Sequence, residues 1–234
     1  IYNIKNLFSK NFKNEKVDQK NIDVILSMLN DLKGTSLVEG LNVVESVLNT
    51  IDLNGDVCEF GVAQGKTTKL ISYLIQNTEK KIYIYDSFEG LPEPSKEDKL
   101  KDDIFNLGSI DLYKGKMSHN QEKVLSELKS INFQSDHIVL NKGFFNQKTK
   151  DLYQYPKQIS FAYIDFDFYQ PTKDVLNVIE SKLVKQSIII IDDYDFFSTG
   201  VKTAVDEWLQ NKNNLFEIDK IKTISSSFIK LKKI

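Results

Sequence analysis

The 234-residue sequence predicts an α/β fold in which helices cover both faces of a mostly parallel sheet. Apolar runs of strand length alternate five times with amphipathic runs of helical period, which is typical of a doubly wound sheet. The last two strand-like runs, 216–218 and 226–231, have no helix between them. We therefore expect a terminal hairpin that makes one strand of a seven-stranded sheet antiparallel.

Two helices are predicted ahead of the sheet, one ending near Gly34 and one over residues 35–50. Thr35 or Ser36 can cap the second helix, and Glu39 stands where it would close a capping box. The expected buried positions follow helical spacing: Ile22, Ile25, Leu26 and Leu29, then Leu37, Leu41, Val44 and Leu48. We assign residues 1–50 to N-terminal helices that cover the site, and residues 51–234 to one compact domain.

The sheet elements follow in chain order. Strands are predicted at 56–60, 81–85, 137–140, 161–164 and 188–191, and helices at 70–75, 118–131, 172–183 and 200–209. The connection over 87–115 is unusually long and carries many charges. It is predicted either to close over a substrate as a lid or to be a solvated loop.

A glycine-bearing turn, residues 59–65, joins the first strand to the next helix. Glycine lets the backbone approach a ligand closely, and the helix N-terminus behind it favours a carboxylate or phosphate. Asp86 ends the second strand, where an acidic residue can accept both hydroxyls of a ribose. Together these features indicate a nucleoside site.

Three ligands compete for this turn. A dinucleotide favours G-x-G-x-x-G, a pattern that this turn does not contain. The nucleotide phosphate loop is one residue longer than the stretch from Gly61 to Thr67. S-adenosylmethionine (SAM) has no phosphates and needs only a small glycine turn with an acid on the second strand. SAM is therefore the favoured ligand, with an ordinary strand-to-helix turn as the alternative.

Two strands of one βαβ unit end in paired aspartates. Asp165 and Asp167 follow the fourth strand, and Asp192 and Asp193 follow the fifth. Because parallel strands emerge at one edge, we expect the four carboxylates to meet there and to hold a hard cation such as Mg²⁺. The alternative is that each pair only caps a helix or forms a turn.

The composition narrows the class of partner. The net charge of −2 creates no field that attracts nucleic acid or an anionic membrane, and every one of the 31 basic residues is lysine. The single cysteine, Cys58, lies in an apolar strand, which excludes a disulfide framework and fits a reducing cytoplasm. No apolar run reaches membrane-spanning length. We expect a cytoplasmic protein with a small-molecule partner, and a homo-oligomer is left open.

Six stretches stand out together: 59–67 (EFGVAQGKT), 85–92 (YDSFEGLP), 143–145 (GFF), 163–172 (YIDFDFYQPT), 190–194 (IIDDY) and 200–208 (GVKTAVDEW). This set resembles the macrocin O-methyltransferase family (TylF/MycF-like), whose members are metal-dependent SAM methyltransferases acting on sugar hydroxyls. The resemblance extends from about residue 35 to the end of the chain. It departs at Ala63 and Gln64, where members often carry a bulky residue and arginine, and at Phe144, where tryptophan is frequent.

The resemblance implies a Rossmann-like class I SAM methyltransferase fold and assigns roles by motif. The methionine part of SAM is expected at Glu59, Phe60, Gly61, Val62, Gly65 and Thr67. The nucleoside part is expected at Asp86, Ser87, Phe88, Gly143, Phe144 and Phe145. Mg²⁺ is expected at Asp165, Asp192 and Asp193. Asp165 or Asp167 is the candidate for the base that takes a hydroxyl proton, and Asp167 could instead support the metal ligands.

The leading hypothesis is Mg²⁺-dependent O-methylation of a sugar hydroxyl on a glycosylated natural product or surface polysaccharide precursor. Methylation of a catechol-type phenol is a second hypothesis, and Phe168 disfavours it because some catechol enzymes carry a lysine there. A third is a Mg²⁺-dependent nucleotide hydrolase or kinase, and a fourth is an α/β binding module without catalysis.

Overall fold

The computed structural model describes residues 19–210, 212, 214–224 and 226–234. Residues 1–18, which the sequence assigns to the N-terminal region, lie outside the described residues. The strands are β1 Asp56–Phe60, β2 Ile82–Asp86, β3 Ile138–Lys142, β4 Ile159–Ile164, β5 Leu183–Ile191, β6 Phe216–Lys222 and β7 Ser227–Lys233. The α-helices are α1 Gln19–Asn30, α2 Leu37–Thr50, α3 Lys66–Ile75, α4 Gln121–Ser130, α5 Tyr169–Ile179 and α6 Gly200–Leu209.

The seven strands form one sheet in the order β3-β2-β1-β4-β5-β7-β6. Strands β1 to β5 are parallel to one another, whereas β7 is antiparallel to both β5 and β6. The predicted mostly parallel sheet with an antiparallel terminal hairpin is confirmed. Because β1 lies between β2 and β4, the ends of these strands stand side by side at one edge.

Each face of the sheet is covered by its own apolar core, because successive residues of a strand point to opposite faces. On one face, Ala162 and Ile189 pack with Leu176 of α5 and Val205 of α6. On the other, residues that include Phe161 and Ile190 pack with α3 and α4. Cys58 is buried in the first core, as the sequence predicted.

The helix predicted at 172–183 instead spans α5, three residues earlier at its start. Pro171 lies in its first turn, where the missing N–H costs no helical hydrogen bond. A 3-10 turn at Glu180–Lys182 ends the helix. Leu183 was predicted to close the buried face of the helix; it opens β5 and pairs in register with Ile159.

Helix α2 begins as predicted but uses its first turn differently. The Ser36 hydroxyl accepts a hydrogen bond from the Glu39 backbone N–H (3.2 Å). The Glu39 side chain does not complete the capping box; its Oε1 lies 3.1 Å from the Tyr163 hydroxyl. Leu37 was expected to be buried, yet it is 39% exposed, and Val43 and Val47 fill the core instead.

The long connection between β2 and α4 is a packed segment rather than a solvated loop. Its residues Leu91 and Tyr113 form an apolar cluster with Phe168 and Phe197, which follow β4 and β5. The Tyr113 and Phe197 rings stack with centroids 5.7 Å apart. The connection therefore forms a wall beside the strand ends that carry the aspartates.

Candidate active site

The turn after β1 lies directly against the end of β4. Gly61 has a left-handed φ of +80°, and a Cβ there would stand 1.8 Å from the Asp165 carbonyl oxygen. The Gly61 N–H donates to the Tyr85 carbonyl (2.8 Å), and the Asp165 N–H donates to the Phe60 carbonyl (2.7 Å). Only glycine fits this contact, which brings the first aspartate beside the predicted nucleoside turn.

Asp86 joins the turns that follow β1 and β2. Its Oδ2 accepts from the Val62 N–H (2.8 Å) and the Ala63 N–H (3.3 Å), and its Oδ1 accepts from the Phe88 N–H (2.6 Å). A carboxylate has about four acceptor positions, so a ligand hydroxyl can still share it. The predicted ribose acceptor therefore also holds the glycine turn in place.

A cleft opens at this edge of the sheet. Its lining comprises Gly61, Ala63, Asp86, Ser87, Gly90, Leu91, Pro92, Met117, Gly143, Phe144, Phe145, Asp165, Phe166, Asp167 and Pro171. The structure thus brings six of the predicted cofactor residues together with both candidate bases. Met117 was not identified from the sequence, and no local pattern marks it; Leu91, Pro92 and Phe166 lie in quoted motifs without an assigned role.

The other predicted cofactor residues lie behind the cleft or beside it. Phe60 is buried and stacks on Tyr85 with ring centroids 4.4 Å apart. Thr67 is buried, and its hydroxyl lies 3.3 Å from that of Thr35 at the start of α2. Phe88 lines a neighbouring cavity with His119. The remaining members are Glu59 and Val62, both buried, and Gly65, the N-cap of α3.

Glu59 is a buried carboxyl with no hydrogen-bond partner at either oxygen. It lies in β1 between Ile84 and Tyr163 of the neighbouring strands. Burial raises the pKa of Glu59 to about 8, and the nearby Asp86 charge adds to the increase, while the Thr68 hydroxyl opposes it. An unsatisfied polar group here is costly, and its position behind the glycine turn is consistent with the predicted place of Glu59 among the cofactor residues.

Three carboxylates converge at the ends of β4 and β5. Asp165, Asp167 and Asp193 each place an oxygen within 4.8 Å of the others. Asp192 turns elsewhere: its Oδ2 lies 3.1 Å from the Tyr163 hydroxyl, and its Oδ1 accepts from the Asp193 N–H (2.7 Å). The converging set therefore differs from the predicted metal ligands in one member, with Asp167 in the place of Asp192.

The carboxylates at this edge raise one another's pKa values. Burial raises the pKa of Asp165 well above its usual range, and the charges of Asp192 and Asp193 add to the increase. The pKa values of Asp167 and Asp193 are raised in the same way, by burial and by the neighbouring carboxylates. Like charges at this spacing are stable together only when protons or a cation neutralise them.

Two of the aspartates also have unusual backbone conformations. Asp167 and Asp193 adopt left-handed φ values of 63° and 56°, as do Ala63 (41°) and Met117 (59°) in the cleft lining. Such conformations cost energy for residues other than glycine and cluster at functional sites. The surrounding contacts therefore hold these side chains in orientations that the local sequence alone does not favour.

The N-terminal helices contribute a buried acid to this region. Glu39 of α2 is fully buried, with Oε1 3.1 Å from the Tyr163 hydroxyl that also contacts Asp192. Burial, and then the charge of Asp192, raise the pKa of Glu39 well above its usual range. The acidic edge thus extends from the sheet to α2, which the sequence predicted as a capped helix covering the site, with no role for Glu39 beyond the cap.

Residues 10–230 match the family described as Macrocin-O-methyltransferase (TylF). The chain belongs to this family. The resemblance found in the six motifs is confirmed, and it extends further toward the N-terminus than those motifs do.

Relatives of the TylF family chain carry related names. A curated tetracenomycin-C 4'-O-methyltransferase of Streptomyces olivaceus, named for a 2,3-dimethoxy-α-L-rhamnosyl derivative, is 23% identical over 172 residues. That alignment covers 72% of this chain and 64% of the relative, so the chain matches less than two thirds of the relative's length.

Solved structures share the fold. The O-methyltransferase NovP superposes with a TM-score of 0.67 at 20% identity, covering 82% of this chain and 78% of that one. The calicheamicin methyltransferase CalS11 gives a TM-score of 0.58 at 18% identity, covering 96% and 90%. The predicted class I methyltransferase fold is therefore confirmed.

Lys66, in the stretch that was compared with the nucleotide phosphate loop, already forms two ion pairs. Lys66 Nζ lies 2.6 Å from Asp31 Oδ2 and 2.7 Å from Glu127 Oε1, and these contacts raise the pKa of Lys66. In this TylF family chain the residue ties α3 to the end of α1 and to α4.

Among the residues that the structure describes, none of the helices combines the length and the apolar character needed to cross a membrane.

Proposed function

We propose that this chain is a Mg²⁺-dependent SAM O-methyltransferase that acts on a sugar hydroxyl of a glycosylated natural product or a surface polysaccharide precursor. The proposal rests on one convergence: the glycine turn, Asp86, Asp165 and Asp167 line one cleft, and an oxygen of Asp193 lies within 4.8 Å of those of Asp165 and Asp167. The TylF family membership and the glycoside named for the Streptomyces olivaceus relative support the choice of acceptor.

The cleft residues fit SAM. Gly61, with its left-handed φ of +80°, lines the cleft without a side chain, and Asp86 beside it offers acceptors for ribose hydroxyls. Ser87, Gly143, Phe144 and Phe145 provide a mixed polar and aromatic surface for the nucleoside. When bound there, SAM supplies an electrophilic methyl group beside the carboxylates.

The converging oxygens of Asp165, Asp167 and Asp193 fit a hard divalent cation, and Asp192 lies next to them as a further candidate ligand. A Mg²⁺ ion held there would lower the pKa of a neighbouring hydroxyl and neutralise the crowded carboxylates. Asp165 and Asp167 also line the cleft, so one of them can accept the acceptor hydroxyl proton at a carboxylate oxygen.

A second cavity next to the cleft offers room for the acceptor. It shares Phe144, Phe145 and Pro171 with the cleft and adds the polar side chains of Asn146 and Gln170. Flat apolar surfaces with a few hydrogen-bonding groups suit a sugar attached to a larger apolar molecule. The connection after β2 forms the facing wall through Leu91 and Pro92.

The test has two parts. By isothermal titration, S-adenosylhomocysteine (SAH) should bind and ATP should not; ATP binding without SAH binding would instead support a nucleotide hydrolase or kinase. Methyl transfer from labelled SAM should then be measured on glycosides, nucleotide sugars and catechols, with Mg²⁺ and with EDTA. Transfer to catechols alone, or transfer unaffected by EDTA, would contradict the proposal.

A further inference from the structure

One buried acid ties the long connection to both acidic strand ends. Asp98 lies in the connection and is only 3% exposed. Its Oδ1 accepts from the Tyr169 N–H (2.8 Å), the first residue of α5. Its Oδ2 accepts from the Ser95 N–H (2.7 Å) and the Ser95 hydroxyl (2.8 Å). Phe168, the N-cap of α5, provides no side-chain cap, so Asp98 supplies one from 71 residues away.

The same carboxylate lies against the start of α6. A Cβ on Gly200, the first residue of that helix, would stand 1.7 Å from Asp98 Oδ1 and 2.8 Å from the Tyr169 nitrogen. The absence of a side chain at Gly200 therefore makes room for Asp98 between two helix N-termini. Both helix dipoles favour a negative charge at this point.

Backbone contacts continue the attachment on both sides of Asp98. Leu100 forms an antiparallel bridge with Ser198, and the Thr199 N–H donates to the Lys99 carbonyl (3.0 Å). The Ser198 hydroxyl in turn donates to the Asp167 carbonyl (3.3 Å). The connection, the residues after β4 and the residues after β5 are thus joined at one place.

We propose that Asp98 is a positioning residue that fixes residues 165–169 and 193–200, and through them the converging carboxylates. Helix α5 begins two residues after Asp167, so a shift of the Tyr169 backbone has only one residue, Phe168, between it and Asp167. The backbone part of this inference is independent of the proposed function, whereas its effect on Mg²⁺ binding rests on that function.

Asp103 provides a matched control in the same connection. It also accepts three hydrogen bonds, from the Leu107 N–H (2.9 Å), the Gly108 N–H (2.6 Å) and the Tyr113 hydroxyl (2.9 Å). All of these partners lie within the connection. Asp98→Asn and Asp103→Asn each replace a carboxylate by a neutral amide, but only Asp98 accepts from a residue outside the connection, Tyr169, and lies against Gly200.

Hydrogen exchange on the ligand-free protein is the primary test. In Asp98→Asn the Tyr169 amide and residues 197–203 should exchange at least about tenfold faster, because a neutral amide oxygen is a weaker acceptor than a carboxylate and the amide NH₂ cannot accept. In Asp103→Asn faster exchange should be confined to residues 103–113. If Asp98→Asn changes exchange only inside the connection, Asp98 is merely a local brace and the inference is wrong.

Gly200→Ala provides a second variant that leaves Asp98 in place. Its Cβ should displace the Asp98 carboxylate and produce the same exchange pattern, and the two changes together should add little more. Fully additive effects would contradict a shared contact.

Mg²⁺ titration of SAH-loaded protein then tests the consequence for the site. Asp98→Asn should bind Mg²⁺ about 10- to 100-fold more weakly, and Asp103→Asn should bind as the wild type does. Equal Mg²⁺ affinity in wild type and Asp98→Asn would overturn the link to the carboxylates. A wild type that binds no Mg²⁺ would instead refute the proposed function, while the exchange result would still decide the backbone part.

Discussion

The two edges of the sheet differ in how their charged side chains are compensated: the amino edge pairs its buried charge within the chain, and the carboxyl edge, among the described residues, does not. At the amino edge, Lys80 is buried, and its ammonium donates to the Leu53 carbonyl (2.6 Å), the Gly55 carbonyl (2.6 Å) and the Ser160 hydroxyl (3.1 Å). All three of its protons therefore have acceptors within the chain. At the carboxyl edge, oxygens of Asp165, Asp167 and Asp193 converge, and no basic side chain that the structure describes lies among them. Burial and mutual repulsion raise the pKa values of all three carboxyl groups.

The contrast separates a structural charge from a functional one. Burial lowers the pKa of Lys80, yet its complete set of acceptors compensates for lost hydration, so this lysine braces the fold without any ligand. Among the residues that the structure describes, no set of partners neutralises the three carboxylates as the acceptors around Lys80 satisfy its ammonium. Protons or a cation must neutralise them, and the proposed Mg²⁺ would do so.

The sharpest way to break this contrast is to neutralise one member of the cluster. Asp165→Asn should lower kcat/KM for methyl transfer by about 10²- to 10⁴-fold, since a cation ligand and a candidate base are lost together. The ligand-free variant should melt no lower than wild type, because one repelling charge has been removed. Steady-state kinetics and thermal unfolding check both parts, and retained activity would contradict the assignment.

The buried Glu59 should make stability depend on pH. Its folded-state pKa of about 8 lies above the ordinary value of 4.5, so the folded protein binds more protons between those two values. As pH rises through this window, the free energy of unfolding of wild type, relative to that of Glu59→Gln, should therefore fall by roughly 1.4 kcal/mol for each pH unit. Urea unfolding of ligand-free protein at pH 5 and pH 8 provides the measurement. An equal difference at both pH values would show that Glu59 does not titrate in this window.

A substitution at the amino edge should lower stability and leave activity unchanged, the reverse of Asp165→Asn. Lys80→Met leaves two carbonyls and a hydroxyl without their donor, so the free energy of unfolding should fall by about 2 to 4 kcal/mol. SAH affinity and kcat should remain within about twofold of wild type, because additivity holds for distant sites. Chemical unfolding and titration test this, and a large loss of SAH affinity would remove the distinction between the two edges.

The last expected effect is stabilisation of the fold by the cation itself. At a Mg²⁺ concentration about 100 times its Kd, the free energy of unfolding should rise by roughly 2.7 kcal/mol. The Lys80→Met variant should gain as much, and Asp165→Asn should gain much less. Thermal unfolding with and without EDTA provides the comparison. A similar gain in Asp165→Asn would place the cation elsewhere.

The sequence predicted the parts of the fold that follow from periodicity and connection rules. Parallel pairing of β4 and β5 is enough to bring their terminal aspartates to one edge, and the glycine turn and Asp86 follow from motifs. Leu183 was misassigned because an apolar residue at a helix end and one at a strand start look alike.

The remaining features depend on contacts between distant segments. The Glu39 side chain extends to Tyr163, 124 residues away, although its spacing matched a capping box. Asp98 stands in a stretch rich in Asp, Glu and Lys, where nothing local distinguishes the buried acid from solvated ones. The choice between Asp167 and Asp192 in the converging set depends on side-chain direction, which strand ends alone do not determine.

The central claim is that the carboxyl edge holds a divalent cation beside a SAM site. A crystal structure of the protein with SAH and Mn²⁺, with anomalous scattering used to locate the metal, tests it most directly. We predict a metal peak among Asp165, Asp167 and Asp193, with SAH between the Gly61 turn and Asp86. Bound SAH with no metal at these carboxylates, or SAH absent from the cleft at saturating concentration, would contradict the account.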